Sequence, residues 1–162
     1  LRQRLGLVGT ASLDVVAPGR SRMNVRTQPA TLSPSIQSFL AFDVGQKRTG
    51  VAYASRLLGQ AQPQGSVHAS GNARWPWVSQ HIARWQPDAL VVGVPCHPDG
   101  APHAMTEHAL RFARQLQGRY ALPVFTVDER YSTTEARESQ AKDTDAAAAC
   151  IILNQFLRGL ST

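Results

Sequence analysis

Hydrophobic and polar positions alternate between two periods along this chain, and the order in which the periods appear outlines a fold. Phe39-Leu40-Ala41-Phe42 is an unbroken apolar run closed by Asp43, and Thr49 to Ala54 is a second strand-like run. Gly45-Gln46-Lys47-Arg48 between them supplies turn chemistry, which predicts a β-hairpin. A third strand is expected around Ser66–Ala69. Pro76 suits the first turn of a helix running to Trp85, with Trp77, His81 and Trp85 spaced at i, i+4 and i+8. The run from Asp88 to Pro95 is apolar without a break after its first residue, the pattern of a central strand covered on both faces. Met105, Ala109, Phe112, Ala113, Leu116 and Tyr120 trace a helical stripe, and Pro123–Val127 reads as one more strand, ending at Asp128-Glu129-Arg130. Helices are predicted over Ser132–Gln140 and over Asp145–Leu157. The order β-β-β-α-β-α-β-α-α predicts an α/β fold: a mixed five-stranded sheet, three antiparallel strands followed by parallel ones, with helices on both faces.

Composition changes this picture mainly at the N-terminus. Of 17 basic and 11 acidic side chains in 162 residues, the first 37 residues hold five arginines (Arg2, Arg4, Arg20, Arg22, Arg26) against Asp14 alone, a charge of +4. The remaining residues carry 12 basic and 10 acidic groups, only +2 of the total +6. Residues 1–37 show no sustained period and are rich in Ser, Thr, Pro, Gly and Arg. They are expected to be a disordered basic tail, with the domain at 38–162. The chain begins at Leu1, so Met23 is a candidate initiator; an organellar leader is a lesser reading of the same arginine-rich stretch. No apolar run approaches the ~20 residues of a membrane-spanning helix. Two cysteines, Cys96 and Cys150, are too few for a disulfide scaffold and fit a reducing, cytoplasmic setting.

Carboxylates mark the ends of the predicted elements: Asp43 closes the first strand, Asp128 and Glu129 the last, and Asp145 opens the final helix before four alanines. Acids gathered at buried strand ends repel and lose hydration, which a cation relieves. Oxygen donors from scattered positions suit a hard ion, Mg²⁺ or Mn²⁺, and two such ions ~4 Å apart can activate water at a phosphodiester. The alanine run allows the helix bearing Asp145 to approach the sheet. Each acid alone is equally at home as a turn or cap residue, and Lys47-Arg48 as a solvated hairpin tip.

In combination these segments have a resemblance. Asp43-Val44-Gly45-Gln46-Lys47-Arg48-Thr49-Gly50-Val51-Ala52 is similar to the opening motif of the YqgF/RuvX family, RNase H-like proteins described as Holliday junction resolvase-like and as candidate pre-16S rRNA nucleases. Ala89–Pro95 with Asp99-Gly100, then Val127–Ala136, then Asp145–Leu153 resemble its second, third and fourth blocks, in family order. The resemblance implies an RNase H-like fold and a metal-dependent nuclease with Asp43, Glu129 and Asp145 as catalytic, metal-binding acids. Strand alternation turns Asp128 and Glu129 to opposite faces, so that one of the two is expected to reach the metals, and the family motif makes it Glu129. Lys47, Arg48 and Arg130 are the expected phosphate contacts. The implied substrate is structured RNA, most directly a small-subunit rRNA precursor cut during ribosome biogenesis. Branched DNA, or RNA bound without cleavage, are the alternatives. Tyr131 stands where relatives commonly have leucine. The segment before Asp145 is short, with Arg137 and Lys142 its basic residues after the third block, so the N-terminal arginines are a candidate substitute grip.

Lesser signals have plainer readings. Cys96, His97, His103 and His108 match no zinc spacing. Trp75, Trp77 and Trp85 are expected to pack between helix and sheet rather than stack on bases.

Overall fold

The first apolar run becomes the centre of the sheet. In the structure, a computed structural model that describes residues 25–27, 31–97, 99, 101, 104–128 and 144–160, strand β2 (Ser38–Val44) is paired on both sides. The hairpin predicted from Gly45–Arg48 joins it to β3 (Arg48–Ser55), antiparallel with Asp43 opposite Gly50. β4 (Gln62–His68) pairs with β3, again antiparallel, with a register shift between Val51 and Ala52. A 3₁₀ turn over Gly71–Arg74 leads into α1 (Trp75–Trp85), followed by β5 (Ala89–Val94), α2 (Thr106–Tyr120), β6 (Val124–Asp128) and α3 (Thr144–Arg158). β2, β5 and β6 run parallel, as expected of strands joined through crossover helices. The helix predicted over Ser132–Gln140 lies outside the described residues.

The five predicted strands are all present, in the predicted mixture of directions. The sheet is one strand wider, however, with the order β1-β6-β5-β2-β3-β4, because Val25–Thr27, which the sequence reading placed in the tail, forms β1 parallel to β6. β6 would otherwise expose a row of unpaired backbone groups at the sheet edge. A three-residue strand is too short to show a period, which is why the pattern missed it. Leu32 and Ile36 also pack against the core, and Arg56 donates to the carbonyls of Leu32 and Ser33 at 3.2 and 3.1 Å. The remainder of the predicted tail, residues 1–24 and 28–30, is outside the described residues.

Alternation along β2 sorts the core into two layers. Leu40, Phe42 and Val44 face α1 and α2, where Phe112 meets Phe42 edge-on at 5.6 Å and stacks on Trp75 at 5.2 Å. Phe39 and Ala41 face α3, where Phe156 packs against Phe39 at 5.3 Å and Phe125 at 5.5 Å. Helices therefore cover both faces, as predicted. Trp75 is buried, and the partly buried Trp77 and Trp85 pack on the same layer, the packing role expected for them. α1 and α2 each end in a left-handed residue, Gln86 and Ala121. Pro87 and Pro123 lie just beyond, where they cannot extend a helix.

Candidate active site

Asp43 belongs to the α3 face of β2, the third in the series Phe39, Ala41, Asp43. Directly across the ladder on that same face is Gly50. A β-carbon at Gly50 would fall within van der Waals distance of the Asp145 carbonyl and 2.7 Å from the Ala146 nitrogen. The first turn of α3 thus rests directly on bare strand backbone, which only glycine permits. Ala52 and Ala54 continue the shallow track along β3, and Ala146 and Ala149 are buried beneath α3. The close approach expected from the alanine run is present, and glycine on the opposing strand makes it possible. As a result Asp145, 102 residues further along the chain, comes to lie beside Asp43.

The electrostatics record this proximity. Asp43 is pushed from 3.8 up to about 7, first by burial and second by the neighbouring Asp145 carboxylate, while Arg48 pulls it partly back. Arg48 Nε lies 3.3 Å from Asp145 Oδ2, with its side chain 59% exposed. These groups share an open cleft of about 770 Å³ whose lining includes Asp43, Gln46, Lys47, Arg48, His68 and Asp145. Lys47 and Arg48, expected beside Asp43 from their place on the hairpin, both line this cleft with it. His68 was not anticipated; it enters because β4 pairs it with Arg48.

Asp128 ends β6 opposite Val94, on the face of α1 and α2, because Phe125 and Val127 point to α3. It is therefore not on the Asp43 face, in keeping with the alternation expected. Glu129 and Arg130 lie outside the described residues, as does His103. Among the described residues no group of three His, Cys, Asp or Glu side chains gathers for a metal ion. The donor chemistry at Asp43 and Asp145 does fit a hard divalent cation. Asp43, desolvated by the fold and repelled by the neighbouring Asp145 carboxylate, is raised to about 7, and a cation would relieve both effects.

A family model described as "RuvX: Holliday junction resolvase" matches residues 37–159. The chain belongs to the RuvX family. Among its relatives, a protein of Albidiferax ferrireducens named "Putative pre-16S rRNA nuclease" is 60% identical, covering 82% of this chain and 85% of the relative. One of Polaromonas sp. with the same name is 57% identical, covering 80% and 94%. The RuvC resolvase of T. thermophilus, solved with a Holliday junction substrate, superposes with a TM-score of 0.51 at 14% identity, over 75% of this chain and 94% of RuvC. That likeness establishes the RNase H-like fold shared with resolvases. The enzyme class that goes with RuvX membership is a nuclease, a hydrolase of phosphodiesters. No described helix is long and apolar enough to cross a membrane.

Proposed function

We propose that this RuvX protein is a divalent-metal-dependent nuclease of structured RNA, acting in the cytoplasm at the 5′ end of the 16S rRNA precursor. The observation that carries the reading is the partly buried Asp43 carboxyl beside Asp145 in a cleft that Lys47 and Arg48 also line. Two mutually repelling carboxylates, one of them desolvated, are unfavourable for folding alone and fit a cation-binding role. Asp43 and Asp145 are the proposed ligands for Mg²⁺ or Mn²⁺. Glu129 is the proposed third, from its place in the block Val127–Ala136 that resembles the family's third motif. Divalent ions held by these acids supply Lewis acidity toward phosphoryl oxygens and lower the pKa of water, the requirements for cutting to 5′-phosphate and 3′-hydroxyl ends. Lys47 and Arg48, with Arg130, would hold the phosphate backbone across the cleft mouth, their charges offsetting those of the strand. Arg48 also screens Asp145 when no cation is bound.

Purified protein should cleave a precursor rRNA fragment in Mg²⁺ but not in EDTA, and Asp43→Asn, Glu129→Gln and Asp145→Asn should each be inactive while folded. Full cleavage in EDTA or by the amide variants refutes the proposal. The family description supports a second substrate, four-way DNA junctions cut with the same acids. A resolvase makes paired symmetric cuts and so works as a dimer. Cleavage of RNA but not of junction DNA by a monomer removes that reading. Tight RNA binding without metal-dependent cleavage would instead mark an assembly factor.

A further inference from the structure

The hairpin that lines the cleft has a second side. Behind the Gly45–Gln46 turn, Arg74 is 2% exposed, and its Nη2 donates to the carbonyls of Gly45 and Gln46, both at 3.2 Å. Among the described residues its Nε has no partner and no carboxylate forms an ion pair with it. The guanidinium sits 5.7 Å from the Phe112 ring centre, a cation–π contact. A buried cation without a counter-charge is costly, and two carbonyl contacts offset only part of that cost.

Arg74 lines a separate cavity of about 110 Å³ with Asn72, His108, Arg111 and Gln115, and among the described residues no acid contributes to its wall. His108 hydrogen-bonds to the Gly45 backbone, and its Nε2 is buried and unpartnered. Arg111 is exposed at the same cavity. The volume is several times the ~10–15 Å³ that a single water requires. Guanidinium groups match tetrahedral oxyanions through paired N–H donors.

We propose that this cavity is an oxyanion subsite in which Arg74, His108 and Arg111 hold a phosphate group. Burial, with the charges of Arg74 and Arg111, lowers the His108 pKa; a bound anion would oppose that, favour the protonated form and gain a donor at Nε2. The phosphate could come from the backbone of a bound nucleic acid, whose path over the hairpin would then extend beyond the acidic cleft, or from free inorganic phosphate. Because Gly45 and Gln46 also line the cleft, an anion here would steady the turn that positions Lys47 and Arg48.

The test uses the full chain and follows the His108 imidazole by NMR, assigned with His108→Gln. Inorganic phosphate is titrated against chloride at constant ionic strength. The expected result is a saturable His108 shift and a rise in its protonation midpoint, with affinity reduced ~10-fold or more in Arg111→Ala. Arg111 is exposed, so that variant should fold, and its thermal melt confirms it. A His108 signal that does not saturate with phosphate, or the same titration curve in Arg111→Ala, overturns the proposal. Adding a single-stranded RNA oligonucleotide then separates the sources: displacement of phosphate assigns the site to the nucleic-acid backbone, and simultaneous binding assigns it to free phosphate. Neither readout depends on cleavage.

Discussion

Replacing Asp43 by asparagine should make the metal-free protein more stable and, at the same time, inactive. In the folded chain the carboxyl is held at about 7 rather than 3.8, so ionising it costs about 4 kcal/mol more there than in the unfolded chain. Below pH 3.8 the group is protonated in both states and contributes no difference. As pH rises through the interval from 3.8 to about 7 the unfolded chain ionises first, so the folded state loses stability progressively, and above pH 7 the whole penalty applies. Asparagine fills the same space without the charge. Water entry and adjustment of Asp145 and Arg48 reduce the ceiling, and a gain of about 1–3 kcal/mol at pH 8 is expected, shrinking towards zero near pH 4. Urea unfolding in EDTA, followed by circular dichroism at pH 4, 6 and 8, measures it. In a chain of this size each kcal/mol corresponds to a rise in Tm of about 2–4 °C. Adding Mg²⁺ should stabilise the wild type through linkage and leave Asp43→Asn nearly unchanged. A variant less stable than wild type at pH 8, or one whose gain is the same at pH 4 and pH 8, would show that the strained carboxyl has been misread.

Gly50→Ala places a methyl group against the backbone of Asp145 and Ala146, so a loss of about 1–3 kcal/mol is expected, together with a fall in cleavage as α3 is pushed off the acid pair; urea midpoints and turnover read the two effects. Arg48→Ala removes an exposed ion pair and should change stability by less than about 1 kcal/mol, yet lower RNA affinity and reduce the slope of log affinity against log salt by about 1, as filter binding across salt concentrations would show. Burial pushes the Cys150 thiol up to about 11, so it should resist alkylation at pH 8 until denaturant is added; mass spectrometry of labelled peptides follows its release.

Local pattern was enough to place most elements of this molecule. Phe39–Phe42, Ala89–Val94 and the Ala109–Leu116 stripe each declare a strand or helix through the spacing of apolar side chains, because periodicity is a property of neighbouring residues. The same reasoning put Asp43 at a strand end and Asp145 at a helix start, and β-alternation placed Asp128 away from the Asp43 face. β1 escaped notice because three residues hold no period, and its existence depends on the bare edge of β6, almost 100 residues away. Gly50 was visible as a glycine within a strand, a signal of close backbone approach, but which backbone approached it could be seen only once α3 was docked.

Tertiary structure alone decided that Asp43 and Asp145 come together at one cleft, with Arg48 paired to Asp145. It also decided that Arg74, unremarkable in the sequence, is a buried cation holding the hairpin from behind. Both outcomes turn on desolvation and through-space charge. Those quantities depend on which distant segments pack together, and the order of residues expresses them only after the chain has folded.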